Sequence, residues 1–101
     1  MVRHLTIQVP GQGLHIITAR VAEAVHQSGV REGLCTVFLQ HTSASLLIQE
    51  NADPSARRDL ERWLNRLVPE RDPLYTPTAE GPDDLPSHIK AALTATSLAI
   101  P

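Results

Sequence analysis

Several residue types on which common functions depend are scarce in this sequence. Aromatic residues make up 3% of its 101 residues, too few for a platform that stacks single-stranded nucleic acid. The net charge of −2, with scattered basic residues, gives no positive surface for DNA or RNA. A single cysteine excludes an internal disulfide. Neither the P-loop motif nor the G-x-G-x-x-G motif, whose glycine-rich loops bind phosphate, is present. We therefore predict that nucleic acid is not a partner.

Long apolar runs are also missing. No stretch approaches the roughly 20 residues that a membrane-spanning helix needs. The N-terminus, MVRHLTIQV, lacks the sustained apolar region of a secretory signal. Apolar content of 42% and charged content of 20% are near the averages of globular proteins. The sequence therefore predicts a single cytoplasmic domain over residues 1–101, without a membrane partner.

Hydrophobic periodicity predicts an α+β fold, in which a mixed or antiparallel sheet is packed by three helices. Alternating or short apolar runs predict strands at residues 2–9, 14–17, 34–39, 46–49 and 98–100. The run at 34–39 is apolar throughout, which indicates a central strand.

Helices are predicted at residues 19–27, 54–67 and 84–94. Thr18 is a plausible N-cap for the first helix. Asp53 and Pro54 are typical of a helix start, because aspartate accepts hydrogen bonds from free backbone N–H groups and proline suits the first turn. Trp63 falls within the apolar stripe of the second helix, so we expect it in the core.

The densest group of reactive side chains lies at residues 41–54, HTSASLLIQENADP. His41 and Ser43 would share a face of an extended chain, so a serine nucleophile with a histidine base is one hypothesis. There is no G-x-S-x-G motif to support it. We favour the alternative that the hydroxyl groups of Thr42, Ser43 and Ser45 hydrogen-bond the backbone of a turn.

A metal site is a second hypothesis. Of the five histidines, His41 and His88 lie beside other polar groups at the ends of predicted elements. Two imidazoles are fewer than the three protein ligands that a catalytic zinc ion usually takes. Further ligands would have to come from acidic side chains, namely Glu50, Asp53, Glu80 or Asp84.

Two strings extend these interpretations. In GLCTVFLQHTSASLLIQENADPSARRDLERWLNRLVP and EGPDDLPSHIKAALTATSLAIP the chain resembles the YjbQ-like family, through H-T-[ST]-A…E-N-x-D-P and E-G-P-D-D-x-P-x-H-x-K. The resemblance covers essentially the whole chain. It implies a compact α+β fold, commonly assembled as a homotrimer, with clefts that gather histidines and hold a divalent metal, zinc or magnesium. Members are described as secondary thiamine-phosphate synthases.

The resemblance also implies roles for individual residues. His41 and His88 match two of the family's histidines and are the expected metal ligands. Glu50 and Asn51 match its E-N pair and Asp53 the acid that follows, so these three are the expected catalytic residues. The implied reaction joins a pyrimidine diphosphate to a thiazole phosphate and releases pyrophosphate, whose charge a metal would neutralise. The expected partner is therefore a small phosphorylated substrate.

The chain departs from the family pattern in two places. The family's Tyr-x-His reads Tyr75-Thr76-Pro77 here, and proline has no ligand atom. A typical member continues beyond the position of Pro101 with further strands, including a Gly-Thr-Trp-Gln-Gly segment, so C-terminal strands are expected to be missing relative to the family. Both departures favour an alternative function: a non-catalytic folded remnant, or an oligomeric binding or structural protein.

Overall fold

The computed structural model contains three helices and one two-stranded antiparallel sheet, and it describes residues 1–49, 53–76, 81–82 and 84–101. In chain order the elements are α1 (Thr18–Ser28), β1 (Cys35–Phe38), α2 (Pro54–Leu67), α3 (Asp84–Leu93) and β2 (Ser97–Ile100). These secondary-structure elements confirm the predicted α+β class and its three helices. Within those ranges, no helix is both long enough and apolar enough to cross a membrane.

The sheet joins the middle of the chain to its last strand. Cys35 lies opposite Ile100, and Val37 lies opposite Leu98. These four side chains are half-buried on one face, whereas the alternate residues are exposed, with Phe38 64% accessible. The prediction of a central strand at 34–39 is wrong in the described structure, because β1 pairs with β2 alone and is wet on one face.

Three predicted strands do not form. Residues 2–9 and 14–17 hold no strand, and Leu5 and Val9 are exposed. In the predicted strand 46–49, Leu46 alone makes a bridge, in which its N–H donates to the carbonyl oxygen of Ala95 at 2.6 Å. Alternation of apolar and polar residues indicates an extended strand only where a backbone partner is available, and the described chain offers these segments none beyond that bridge.

The helix ends follow local sequence chemistry in most cases. The prediction of Thr18 as a cap is wrong: Ile17 occupies the N-cap position and makes no side-chain capping bond. Gly29 ends α1 in the left-handed conformation at φ 75°, which glycine adopts without steric cost. Asp53 caps α2, with Pro54 in its first turn, so the predicted start of this helix is confirmed.

The buried core is small. Leu46, Val68 and Ala91 are its buried hydrophobic residues, and Pro86 has the largest fully buried side chain among the described residues. Two of these four lie on α3, which therefore runs through the centre of what is buried. Trp63 is 57% exposed, so its predicted place in the core is wrong. The apolar stripe of α2 exists, but it borders an open groove.

Candidate functional site

Helix α3 brings His88 against the segment that carries His41. The Nδ1 atom of His88 lies 3.1 Å from the carbonyl oxygen of Thr42, 46 residues earlier in the chain. A carbonyl oxygen only accepts hydrogen bonds, so Nδ1 must carry the proton of this contact. On the other side of the ring, Nε2 lies 3.3 Å from Oδ1 of Asp84, one helical turn earlier. The structure therefore joins the two segments that the sequence identified separately.

The contact between His88 and Asp84 has a definite chemical preference. Because Thr42 fixes a proton on Nδ1, Nε2 of a neutral ring directs a lone pair at a carboxylate oxygen. Such a contact is favourable only when a proton or a cation lies between the two atoms. Neighbouring ligand atoms of a tetrahedral zinc ion lie about 3.3 Å apart, given bonds of about 2.0 Å. The observed separation of 3.3 Å suits either an ion pair with a protonated ring or a shared ion, and both side chains are partly accessible.

His41 is held within its own turn. The backbone N–H of Ser43 donates to Nδ1 of His41 at 3.0 Å, and Oγ of Ser43 lies 2.9 Å from the same nitrogen. Because Nδ1 accepts a backbone N–H, a neutral His41 ring carries its proton on Nε2. In this conformation His41 offers a hydrogen-bond donor outward, and no lone pair remains for a metal.

The hydroxyl groups of Ser43 and Ser45 contact side chains, whereas the favoured interpretation expected them to bond the turn backbone. Ser43 pairs with His41, as the nucleophile hypothesis required, and Ser45 accepts a short hydrogen bond from the hydroxyl of Thr94 on the segment after α3. A nucleophile–base pair also needs a third group that orients the base. Among the described residues His41 makes no further hydrogen bond, so the turn holds no such group.

The expected catalytic residues lie just before α2. Glu50 and Asn51 lie outside the described residues. Asp53 is described, and its Oδ1 atom accepts a hydrogen bond from the backbone N–H of Ser55 at 2.9 Å. Hydrogen bonding from Ser55, chiefly from its backbone, holds the pKa of the Asp53 carboxyl below its ordinary value. This carboxylate is engaged in capping a helix.

The number of ligand side chains that lie together limits how a metal ion could be bound. No three histidine, cysteine, aspartate or glutamate side chains converge within the described part of the chain. His88 and Asp84 nevertheless supply one nitrogen and one oxygen at suitable spacing. Two donors are fewer than the three protein ligands usual for catalytic zinc, so a divalent ion here would need its other ligands from water or from substrate phosphate.

Sequence reasoning gave no role to Lys90, which lies two residues after His88. Its Nζ atom donates to Oδ1 of Asn65 on α2 at 2.5 Å, and the Gln12 side chain donates to the same oxygen at 2.8 Å. Burial lowers the pKa of the Lys90 ammonium, and the nearby Glu70 carboxylate opposes that shift. The sequence does contain a sign of its importance, because Lys90 is the last residue of the E-G-P-D-D-x-P-x-H-x-K pattern that also contains His88.

A half-open cavity of about 380 Å³ lies beside the start of α3. Tyr75 and Thr76 line it from the preceding segment, and Leu85 and Pro86 line it from α3. Arg71 and Asp72 also line it and contribute one charge of each sign. The cavity thus adjoins the place where the family pattern has its Tyr-x-His, although His88 is not among the lining residues.

Comparison with known proteins identifies the family. Residues 3–101 match the family described as UPF0047 protein YjbQ-like. A UPF0047 protein of Synechocystis is 50% identical over 97 residues, which are 96% of this chain and 66% of that protein. YjbQ of Escherichia coli O157:H7 is 42% identical over 98 residues, which are 96% of this chain and 70% of that protein. The chain belongs to the YjbQ-like family.

A solved structure supports the same assignment. A conserved hypothetical protein from Thermus thermophilus is similar with a TM-score of 0.84 and 34% sequence identity. The match covers 98% of this chain and 74% of that one. The chain spans 66% of the length of the Synechocystis protein and 70% of that of the Escherichia coli protein. An activity of a full-length relative can therefore only be proposed for this chain.

Proposed function

We propose that this protein is a metal-dependent transferase of the thiamine-phosphate synthase type. It would join a pyrimidine diphosphate to a thiazole phosphate with release of pyrophosphate. The observation that carries the proposal is the pairing of His88 Nε2 with Asp84 Oδ1 at 3.3 Å, beside the His41 turn. The resemblance to the YjbQ-like family implies this reaction class, whereas the names of the matched relatives state no activity.

His88 and Asp84 are the proposed ligands of a divalent ion, zinc or magnesium. The Thr42 carbonyl oxygen orients the His88 ring by accepting from Nδ1, which leaves Nε2 for the ion. When bound, the ion would neutralise charge on the leaving pyrophosphate. The carboxylate of Asp84 is 20% accessible and the ring of His88 is 41% accessible, so a phosphorylated substrate can reach both.

His41 receives a role that differs from the one implied by the resemblance. As placed, it presents an Nε2–H group next to the residue that holds His88. We assign this group to donate a hydrogen bond to the diphosphate. Ligation through Nε2 would require the bond from the Ser43 backbone N–H to break. Glu50, Asn51 and Asp53 stay the predicted catalytic residues, with Glu50 as acid or base.

The assembly and the compartment belong to the same proposal. The family resemblance implies a homo-oligomer, with a trimer favoured. A cytoplasmic location agrees with a phosphorylated small-molecule substrate. Both would be tested by sedimentation of the purified protein and by fractionation of cells that express it.

Metal analysis and titration calorimetry with zinc and magnesium test the proposal. We expect bound metal in the wild type and loss of binding in His88→Ala and Asp84→Asn. His4→Ala, an exposed histidine at the other end of the sequence, is the matched control and should leave binding unchanged. Absence of any bound divalent ion at every stoichiometry would refute the metal-dependent mechanism.

One observation favours a second candidate, a non-catalytic binding or structural protein. His41 and Asp53 both accept hydrogen bonds from local backbone N–H groups, which is what purely structural side chains do. The two candidates differ in turnover. A metal-loaded wild type that binds the pyrimidine diphosphate, yet forms no thiamine phosphate from the two substrates, would favour the second candidate.

A further inference from the structure

The cavity beside the start of α3, which we call the α3 cavity, has the size and lining of a small-molecule site. Its volume of about 380 Å³ falls within the range of roughly 300–1,000 Å³ that ligand pockets occupy. Four of its lining residues are aromatic or apolar, namely Tyr75, Pro82, Leu85 and Pro86. Pro86 is fully buried. Apolar walls with a few charged groups among them are typical of a cavity that binds one small ligand.

Two opposite charges, those of Arg71 and Asp72, line the cavity beside these apolar walls. Within the described ranges, neither side chain takes part in an ion pair. The Asp72 carboxylate accepts one hydrogen bond there, from the backbone N–H of Leu74 to Oδ1. A ligand that complements both charges therefore carries a hydrogen-bond donor for Asp72 and an anionic group for Arg71.

The turn that carries these two charges is held by its own hydrogen bonds. The Oδ1 atom of Asp72 accepts from the backbone N–H of Leu74 at 2.9 Å, and the carbonyl oxygen of Asp72 accepts from the backbone N–H of Tyr75 at 2.9 Å. Arg71 has a φ of 57°, in the left-handed region that residues other than glycine seldom adopt. Groups that are already fixed lose less conformational freedom when a ligand binds, which favours binding.

We propose that the α3 cavity binds an amino-substituted heteroaromatic ring that carries a phosphate arm. The ring packs against Tyr75, because flat aromatic rings stack on one another, and Leu85 and Pro86 supply further apolar contact. The amino group donates to the Asp72 carboxylate, in the way that the amino group of cytosine donates to acidic side chains. The phosphate pairs with the Arg71 guanidinium.

The α3 cavity adjoins the proposed metal ligands. Gly81 lines the cavity, and its carbonyl oxygen accepts a hydrogen bond from the backbone N–H of Asp84 at 3.4 Å. Leu85, the residue after Asp84 on α3, lines the cavity as well. A ring in the cavity therefore lies beside the residue that we propose to hold the ion. The identification of this ring with the pyrimidine of the diphosphate substrate rests on the proposed function, whereas binding of the ring does not need the ion.

Two probes test the contact with Asp72. They are (4-aminopyrimidin-5-yl)methyl phosphate and its 4-oxo analogue, which differ at the group that would face the carboxylate. Titration calorimetry of the full chain is carried out in the presence of a chelator, so that the result is independent of metal. We expect the wild type to bind the amino compound about tenfold more tightly, as for one hydrogen bond to a charged group.

Two variants change one charged group each and preserve the turn. Asp72→Asn keeps an oxygen for the Leu74 N–H and replaces the other oxygen by a donor, so the preference should reverse in favour of the oxo compound. Arg71→Gly adopts a φ of 57° without steric cost. It should weaken binding of both phosphates about tenfold and leave binding of the corresponding alcohols unchanged.

Leu74→Ala is the matched control for both variants. Leu74 belongs to the same turn but is 91% exposed and is not a lining residue, so affinity for both probes should stay at the wild-type value. Tyr75→Leu, which removes the aromatic wall, should weaken both probes equally. Circular dichroism checks that each variant is folded.

Three results would overturn the proposal: no binding of either probe by the wild type, equal affinity of the wild type for the two probes, or an unchanged preference in folded Asp72→Asn. These outcomes are distinct from failure of the proposed function. Probe binding that follows the variants, without zinc binding or turnover, would support the site in the α3 cavity and refute the metal-dependent transferase. Zinc binding by a chain that binds neither probe would refute the site alone.

Discussion

Two histidines that the sequence treats alike, His41 and His88, are held in different ways. The His41 ring is bonded within three residues of chain, to the backbone and hydroxyl of Ser43. The His88 ring bridges two distant parts of the chain, from Asp84 on α3 to the carbonyl of Thr42. Because its Nδ1 atom is bonded within its own turn, the His41 ring stabilises that turn. The His88 ring is oriented by a distant carbonyl and its second nitrogen faces a carboxylate, so it can form an ion pair when protonated or hold the proposed cation when neutral.

The largest expected effect comes from exchanging the two histidines for asparagine one at a time. We expect His88→Asn to weaken zinc binding at least a hundredfold, because it removes one of two proposed protein ligands. His41→Asn should change zinc affinity less than threefold, because its Nδ1 is already occupied and its Nε2 carries a proton. Titration calorimetry of both variants measures the contrast. Equal losses in the two variants would show that His41 is also a ligand.

A second prediction adds a ligand instead of removing one. Pro77 stands where the family pattern has a histidine, so we expect Pro77→His to raise zinc affinity about tenfold. Pro77→Ala is the matched control, because it removes the proline ring without supplying a nitrogen. If Pro77→Ala raises affinity as much as Pro77→His does, relief of backbone constraint, and not ligation, is responsible. If neither variant differs from the wild type, the position does not adjoin the ion.

The third prediction concerns the turn around His41. Ser43→Ala removes the hydroxyl contact but keeps the backbone bond to Nδ1. We expect the free energy of unfolding to fall by about 0.5 kcal/mol, the lower end of the usual contribution of one hydrogen bond, because the contact is exposed. Urea denaturation measures it, and zinc affinity should not change. A fall in turnover of a thousandfold or more in Ser43→Ala, without loss of stability, would revive the nucleophile hypothesis.

Local chemistry made part of this fold predictable. The cap at Asp53, the helix of α2 and the glycine that ends α1 each depend on residues next to one another, so the sequence identifies them. Strand pairing depends on distant partners, and the sequence could not show that β1 would pair with β2 while residues 2–9 paired with nothing described. Trp63 illustrates the same limit. Periodicity shows that a stripe exists, but only the assembled molecule shows whether it is covered.

The candidate site likewise has features that the sequence predicts and features that depend on distant groups. The family strings identified His41 and His88, and α3 explains why Asp84 accompanies His88, since four residues make one helical turn. The tautomers could not be predicted, because each depends on which backbone group lies beside the ring. The sequence suggests a role for the hydroxyl group of Thr42, whereas its carbonyl oxygen is the atom that contacts His88.

The smallest expected effect separates the structural and catalytic interpretations of Asp53. Asparagine caps helices about as well as aspartate, so Asp53→Asn keeps the bond from Ser55 and removes the charge. The pKa of the Asp53 carboxyl is lowered in the folded state below its ordinary value of 3.8, so the folded state favours the charged form. Its contribution to stability is present above that pH and is lost as the pH falls through the lowered pKa.

We therefore expect wild type and Asp53→Asn to differ slightly in unfolding midpoint at pH 7, with the wild type more stable. The difference should vanish in acid, below the lowered pKa of the carboxyl. Urea denaturation of both proteins across that range measures it. Turnover at pH 7 gives the complementary result, because a cap needs only an acceptor whereas acid–base catalysis needs an ionisable group. Retained turnover in Asp53→Asn would assign Asp53 to the helix, and a loss of a hundredfold or more would return it to the site.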